Sequence, residues 1–244
     1  VLNAAGVEAF NKKIIAASPT VYDLAAYPKT LSGKTVAAYV NAHTDLSDDL
    51  YRDGKLVSDN YKNILRAQTN ASAIPAEVTV RYGVTVRRTN IRNLPTGEGL
   101  FFYASDRNFD ALQETALDPG EAVAILHTST NGYFYYVQAY NYRGWLSKFD
   151  VAETDRATWS RYAAPKNFLT VIARDYTLKA DGAQVLFQQG SRLQLADKKA
   201  ASYTVKVPVR TKEGKLQEEE VILAANSSLH EGYLPYTTNN IIRS

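Results

Sequence analysis

The spacing of the apolar residues changes from helical to alternating near residues 70–75, and this change limits the fold more than any other feature of the sequence. Before it, apolar residues recur every three or four positions, as they do in amphipathic helices. After it, a run of apolar residues shares one parity, as in a strand with one buried face: Val78, Val80, Tyr82, Val84 and Val86. The change predicts an α+β, mostly β protein in which a short helical part comes first.

Polar residues that can cap helices stand at the start of three segments in the helical part. They are Asn3, Ser32 and Ser58, and a side-chain oxygen at this position accepts a backbone N–H of the first turn. The first segment also carries an apolar stripe at helical spacing, formed by Val7, Phe10, Ile14 and Ile15. Because short helices are marginal on their own, we expect them to pack on the β part.

Residues 133–146 hold the densest run of aromatic residues in the chain. The run favours a strand, then a turn at residues 141–144, then a second strand, which together predict a β-hairpin. Alternation places Tyr135 on one face of the first strand and Tyr136 on the other. We expect one face to close the core of a small barrel and the other to present tyrosine rings to a ligand.

A long insertion interrupts the first β unit at residues 98–119. Long loops in small barrels are disordered or functional, and this one carries too many aromatic residues for disorder. It is therefore the best loop candidate for a site. In the strand before it, Gly83 is predicted to mark a bend or bulge.

The second half of the chain repeats the pattern of short strands. Five strands are predicted between residues 168 and 223, with a hairpin turn at 212–215, and residues 159–165 are predicted to be a connection. Such a set suits a small barrel of SH3 type. The predicted organisation is a helical domain at 1–76, a first SH3-like barrel at 77–160, a second SH3-like barrel at 161–235 and the start of a truncated further domain at 236–244.

Both ends of the sequence suggest that the natural protein is longer. Thr237 can cap a helix whose apolar stripe begins at Ile241 and Ile242, but the sequence stops at Ser244. At the other end Val1 is not a translation start, and no signal-peptide pattern follows it. We expect a lost carboxyl-terminal domain and a signal segment that has been removed.

Composition narrows the function classes. The net charge of +3 comes from 28 basic and 25 acidic residues, which is too balanced for the basic stripe of a nucleic-acid binder. The chain has no cysteine, so it holds no disulfide, cysteine nucleophile or cysteine-ligated metal. The three histidines lack metal-ligand spacing, and no apolar run is long enough to span a bilayer. We predict no metal, no cofactor and no transmembrane segment.

The order of these parts resembles the non-catalytic front of NlpC-type bacterial cell-wall cysteine peptidases, which carry a helical clip domain and two bacterial SH3-like (SH3b) domains. Elements at 21–24 and 39–41 resemble the clip domain more weakly. The strongest resemblance lies in four segments, at residues 88–96, 108–117, 142–145 and 230–241.

The resemblance implies that a papain-like peptidase domain follows, hydrolysing γ-D-glutamyl-L-diamino-acid bonds in the stem peptides of peptidoglycan. It also implies a place in the bacterial cell envelope, periplasmic or extracellular. No catalytic residue is assigned to this chain, because it lacks the cysteine. In relatives, a loop of the first SH3-like domain helps to form the pocket for the free L-alanine amine. The matching stretch here is the insertion, which makes Tyr103 and Asp110 candidate substrate-binding residues.

Four further residues are candidates for substrate binding. Arg88 and Arg92, like their neighbour Arg87, carry planar guanidinium groups that can pair with carboxylates of the wall. The alternative is that these side chains are simply solvated. Tyr140 and Tyr142 can stack on sugar or peptide, or fill the core with their polar tips outward.

Other groups have a structural alternative as well. Asp110 and Glu114 can act as an acid–base pair if the loop is helical, or form a solvated turn. Tyr135 and Trp145 are expected in the core. The acidic run at residues 218–220 is expected to be a charged edge that discourages association of sheets.

Three functions remain open. The first is a targeting and substrate-shaping region of a peptidoglycan endopeptidase, inert by itself. The second is a stand-alone enzyme, although no Ser-His-Asp motif, phosphate loop or metal cluster supports it. The third is a wall-binding or protein-binding SH3-like module with no peptidase partner.

Overall fold

The computed structural model describes residues 1–243 and the side chains of residues 1–240. The helices are α1 (Ala4–Ala17), α2 (Gly33–Asn41), α3 (Asp59–Gln68), α4 (Arg156–Ala163) and α5 (Thr238–Arg243), with short 3-10 turns at Leu24–Ala26, Ala71–Ala73 and Lys148–Asp150. None of the helices in this part of the chain is both long and apolar enough to cross a membrane.

The strands before residue 155 are β1 (Thr30–Ser32), β2 (Tyr51–Arg52), β3 (Lys55–Leu56), β4 (Glu77–Thr79), β5 (Arg81–Thr85), β6 (Thr89–Arg92), β7 (Gln113–Leu117), β8 (Ala122–Thr128), β9 (Phe134–Gln138), β10 (Arg143–Ser147) and β11 (Val151–Thr154). The later strands are β12 (Phe168–Val171), β13 (Asp175–Ala180), β14 (Ala183–Gln188), β15 (Arg192–Lys199), β16 (Ser202–Arg210), β17 (Leu216–Ala224) and β18 (Leu229–Glu231).

Two antiparallel sheets dominate the structure and follow one another along the chain. The first has the order β11-β5-β8-β9-β10-β6-β7, and the second has the order β17-β16-β15-β12-β18, accompanied by the hairpin β13-β14. Strand β1 pairs with β4, so the helical front is joined to the first β unit by a backbone ladder. The α+β, mostly β fold class is confirmed.

The three predicted caps of the helical front are confirmed. The Oδ1 atom of Asn3 accepts from Gly6 N at 2.8 Å, and Ser32 and Ser58 cap α2 and α3 in the same way. The cap at the carboxyl end is also present, since Thr237 Oγ1 accepts from Asn240 N. The apolar stripe predicted from Ile241 and Ile242 lies outside the described side chains.

Helix α1 differs from the expectation that every helix packs on the β part, because it has no buried residue. Helix α2 meets the expectation: Val36 and Val40 share one buried cluster with the β-strand residues Val84 and Trp145. Tyr27 joins the same cluster. The helical front therefore forms one wall of the core of the first β unit.

The aromatic hairpin is confirmed as β9 and β10, and part of its second face packs on the helical front. Tyr135 and Val137 lie in the barrel core as predicted. On the other face, Tyr136 is buried in the cluster that contains α2, and its hydroxyl donates to Tyr39 O at 2.7 Å. The helical front covers the part of this face that holds Tyr136, which alternation within the hairpin could not reveal.

Several local predictions are wrong. Gly83 is neither a bend nor a bulge, because it pairs in register with Val123; a Cβ here would lie 2.5 Å from Val151 Cγ1, so close packing explains the glycine. The predicted connection at 159–165 is mostly helix α4, with Trp159 buried. The insertion at 98–119 is not irregular throughout, since β7 lies within it.

The second β unit contains two strands that the sequence did not predict, β13 and β18. Its acidic run lies on β17, an edge strand as expected, but two of the three charges have internal partners. Glu218 pairs with Arg161 and Lys206, and Glu219 accepts from Asp181 N.

Backbone contacts hold the two β units together. Glu153 in β11 forms a parallel bridge with Lys215, and its N–H donates to Gly214 O at 2.8 Å. Arg210 Nε donates to Val151 O at 3.0 Å. The edge of the first sheet therefore contacts the second β unit directly.

Candidate functional site

The first half of the insertion forms a loop, residues 98–112, whose base packs on the helical front. Tyr51 in β2 and Phe101 exchange two backbone hydrogen bonds, of 2.7 and 2.9 Å. Beneath them lies an apolar cluster drawn from both segments: Leu50, Val57, Leu65, Leu94, Leu100 and Leu112. The base of the loop is therefore packed against the helical front.

Arg92 and Asp110 form the ion pair that shapes the base of this loop. Their Nη1 and Oδ2 atoms are 2.6 Å apart, and the side chains are only 8% and 15% exposed. Arg92 also donates to Glu98 O at 2.6 Å. Asp110 Oδ1 accepts from the backbone N–H groups of Leu100 and Leu112. The two predicted binding residues thus contact each other, and both close the loop on itself.

Glu98 attaches the start of the loop to the helical front. Its carboxylate accepts from Arg52 Nη1 at 2.7 Å and from the Tyr61 hydroxyl, and the Arg52 guanidinium lies over the Tyr61 ring. The hydrogen bond from Tyr61, supported by Arg52, lowers the pKa of the Glu98 carboxyl. Glu98 thus stays charged in this role.

The tip of the loop presents three aromatic rings to solvent. Phe102, Tyr103 and Phe109 are 49%, 71% and 78% exposed, and we call them the aromatic tip. Asp106 Oδ1 accepts from the N–H groups of Asn108 and Phe109, which fixes the turn between the rings. Exposed rings on a rigid base can stack on a ligand at little cost in conformational entropy.

The remaining predicted residues lie around a second region of the first β unit. Arg88 Nη1 pairs with Asp118 at 2.7 Å. Tyr140 and Tyr142, both partly exposed, lie in the connection between β9 and β10, and Tyr140 lines a cavity that Asp118 also lines. The structure thus brings Tyr103, Asp110 and Arg92 together in the loop, whereas of the other three candidates Tyr140 alone lines the cavity and Arg88 reaches it only through Asp118.

Neither acid–base chemistry nor a metal site emerges from the predicted pairs. The loop is not helical at Asp110, and Glu114 lies in β7, so the two carboxylates do not share a helix face. Within residues 1–240, no group of three or more His, Asp or Glu side chains is placed to hold a metal ion. His127 Nε2 lies 3.0 Å from Asn70 O, and burial lowers the pKa of this imidazole.

Sequence reasoning included Glu98, Phe102 and Phe109 in the insertion but did not single them out as candidate site residues. The aromatic content of the insertion was the available signal for the two phenylalanines. Nothing in the sequence connects Glu98 with Arg52 or Tyr61, because those contacts span 46 and 37 residues.

Comparison with known families places this loop within a recognised domain. Residues 100–147 match the model of the SH3 domain of the SH3b1 type. This stretch is therefore similar to an SH3b domain. Its matched part begins in the loop and ends at β10, so it includes both the aromatic tip and the aromatic hairpin.

The fold of most of the chain is similar to a solved structure of an NlpC/P60 endopeptidase from Photobacterium damselae subsp. piscicida. The TM-score is 0.64 at 20% sequence identity, and the match covers 86% of this chain and 47% of that one. The chain thus spans about half the length of that protein. A search of curated proteins found no match. The expected resemblance of the SH3b region to NlpC-type proteins is confirmed.

Proposed function

We propose that this protein is a cell-wall-associated SH3b module, serving as the non-catalytic, wall-targeting and substrate-shaping region of a bacterial peptidoglycan endopeptidase. The bond hydrolysed by the whole protein would be the γ-D-glutamyl-L-diamino-acid bond of murein peptides. The proposal places the protein in the periplasmic or extracellular cell envelope, next to a papain-like peptidase domain. Support comes from the SH3b domain and from the fold shared with half of an NlpC/P60 endopeptidase.

The observation that carries the proposal is the aromatic tip on its rigid base within the SH3b domain. Tyr103 is the most suitable substrate-binding residue, because its ring and hydroxyl are exposed. Asp110 and Arg92 act as positioning residues, since their mutual ion pair closes the loop. In this proposal the buried ion pair fixes the loop, and the aromatic tip contacts a stem peptide.

The proposed organisation keeps the domains predicted from the sequence. The helical domain, residues 1–76, serves in this account as the support of the loop, through Glu98 and the cluster of leucines beneath Phe101. The two SH3-like units, 77–160 and 161–235, provide the wall-facing surface, and residues 236–244 lead toward the peptidase domain.

Co-sedimentation with purified peptidoglycan tests the proposal. We expect the 244-residue protein to bind without releasing muropeptides. The double variant Tyr103→Ala, Phe109→Ala should bind about tenfold more weakly or worse, because each aromatic contact contributes about 0.5–1.5 kcal/mol and about 1.4 kcal/mol is tenfold in affinity.

A matched control is Phe10→Ala, which removes an exposed aromatic side chain from α1, outside the two SH3-like units. This variant should bind like the wild type. If the double variant bound as tightly as the wild type, the aromatic tip would not be the wall-binding element. Release of cut muropeptides by this chain would contradict a non-catalytic role.

A further inference from the structure

A second cavity, of about 420 Å³, lies where the end of helix α4 and the connection to β12 meet strand β15. We call it the α4–β15 cavity, and its volume falls within the roughly 300–1,000 Å³ of ordinary small-molecule sites. The end of a helix offers carbonyl oxygens rather than free N–H groups, so hydrogen-bond donors in this cavity must come from side chains. The lining residues are Ser160, Arg161, Ala164, Pro165, Lys166, Asn167, Gln194 and Leu195.

The charged side chains that line the α4–β15 cavity are both cationic. They are Arg161 and Lys166, and within the part of the chain that the structure describes no carboxylate lines the cavity. The amides of Asn167 and Gln194 each add an NH₂ group. This set of side chains favours an anionic ligand with several acceptor oxygens.

An ion pair outside the lining holds Arg161 in place and leaves most of its donors free. Arg161 Nη2 donates to Glu218 Oε1 at 2.9 Å, and Glu218 Oε2 accepts from Lys206 at 3.1 Å. Burial opposes the ionisation of Glu218, but the hydrogen bonds from Lys206 and Arg161 lower the pKa of its carboxyl, so this anchor stays charged. A guanidinium has five N–H donors, and Glu218 shares its single charge between two cations. Arg161 is therefore only partly neutralised.

Lys166 and the amide nitrogen of Gln194 have no partner among the described residues. Lys166 is exposed, and no described carboxylate lies within 4.0 Å of its ammonium group. Gln194 Nε2 is inaccessible to solvent and makes no hydrogen bond. A buried donor without a partner costs free energy, and an acceptor oxygen in the cavity would satisfy it after a small rotation of the side chain. This unsatisfied amide is a separate observation that favours a ligand with acceptor atoms.

We propose that the α4–β15 cavity binds the phosphoryl group of a small phosphate ester. Arg161 binds two of its oxygens as a planar fork, and Lys166 adds a point charge. A phosphate monoester carries a charge of about −1.5 to −2 at neutral pH and three strong acceptor oxygens, whereas a carboxylate has one charge and two oxygens. Two cations and two amides match the phosphate better. The apolar side chains of Ala164, Pro165 and Leu195 leave room for the carbon part of the ester.

This site goes beyond the proposed wall-binding function and does not rest on it. Its residues belong to α4, the connection after it and the second β unit, whereas the aromatic tip belongs to the loop at 98–112. The two sites are tested with different ligands and different variants. The failure of one is therefore distinguishable from the failure of the other.

Titration followed by amide NMR tests the inference, with phenyl phosphate as the probe at constant ionic strength. We expect saturable shifts centred on residues 160–167 and 194–195. Benzoate has the same ring but a carboxylate, and it should bind about tenfold more weakly or worse, because it offers less charge and fewer acceptors. Benzyl alcohol, which has no charge, should not produce these shifts.

Variants then separate the fork from the charge. Arg161→Lys keeps the positive charge but loses the fork, so the dissociation constant for phenyl phosphate should rise about tenfold. Lys166→Gln changes an exposed residue and should weaken binding by a similar factor. The matched control is Lys212→Gln, at an exposed lysine in the β16–β17 turn, which should leave binding unchanged. The spectrum of each variant must superimpose on that of the wild type away from the cavity.

Four results would overturn the inference: no shifts with phenyl phosphate, equal affinity for phenyl phosphate and benzoate, shifts confined to other regions, or wild-type affinity in both cavity variants. None of these results bears on the co-sedimentation experiment with peptidoglycan.

Discussion

Arg92 and Asp110 illustrate what residue types alone can and cannot tell. Family resemblance marked Asp110 as a binding residue, and the geometry of a guanidinium made Arg92 one as well. Their contact with each other depends on the return of the loop over 18 residues, which no local pattern encodes. Binding by either residue remains a prediction, and the ion pair adds a structural role that is testable by itself.

Replacing Asp110 with alanine should lower the free energy of unfolding by about 3–5 kcal/mol, because a buried Arg92 would lose its partner. Two backbone N–H groups would also lose their acceptor. Urea unfolding measures this. The control, Asp106→Ala, changes a partly exposed carboxylate in the same loop that also accepts two backbone N–H groups but has no buried cationic partner, and it should cost much less; equal losses for the two variants would contradict the structural role of the ion pair.

The carboxyl of Glu121 leads to a prediction about how the stability of the protein depends on pH. Burial raises the pKa of its carboxyl above the ordinary value of 4.5 in the folded state, so the folded protein binds this proton more tightly than the unfolded chain does. The contribution of Glu121 to stability is thus greatest at low pH, and it falls as pH rises from about the ordinary value through the raised one.

Thermal or urea unfolding across this pH range, for the wild type and Glu121→Gln, provides the measurement. The stability of the wild type relative to the variant should decrease as pH rises through the window. Parallel profiles would show that the carboxyl titrates in the folded protein as it does in the unfolded chain.

At the scale of elements, the hairpin β9–β10 shows what the alternation of residues along a strand can and cannot predict. Period-two patterning predicted both strands and the face that enters the barrel, because a strand can place only alternate residues on one side. The partner of the other face is Tyr39, 97 residues away. Whether a tyrosine face meets solvent, a ligand or a helix is decided by such distant contacts.

Gly144 in β10 sits where the hairpin crosses β6. A Cβ at this position would lie 2.6 Å from Ile91 Cγ2 and 2.7 Å from Arg92 O, and the backbone oxygen cannot move without shifting the strand. We expect Gly144→Ala to destabilise the protein by about 1–3 kcal/mol, the usual cost of overpacking.

The matched control is Gly97→Ala, where the added methyl group would meet nothing within 4 Å. Differential scanning calorimetry should show a lower Tm for the Gly144 variant and little change for the Gly97 variant. An unchanged Tm for Gly144→Ala would mean that β6 and β10 do not pack as closely as described.

For the whole molecule, the order of the helical front and the two β units could be predicted from the sequence, but the contacts between them could not. The capping residues and the change from helical to alternating spacing predicted the helical front and the two β units, because each of these signals is local in the sequence. The bridge between Glu153 and Lys215, the helix α4 and the support of the loop by the helical front depend on contacts between distant segments. These contacts between distant segments hold the loop at 98–112 and the region around Tyr140 in place.

The most direct test of the proposed function compares binding to two preparations of the same cell wall. One is intact peptidoglycan, and the other is the same glycan after an amidase has removed its stem peptides; both are coupled to beads, because glycan strands without peptide cross-links do not sediment by themselves. Recognition of wall peptides requires that the protein sediments with the first and remains in solution with the second. Equal binding to both preparations, or to neither, would contradict the account.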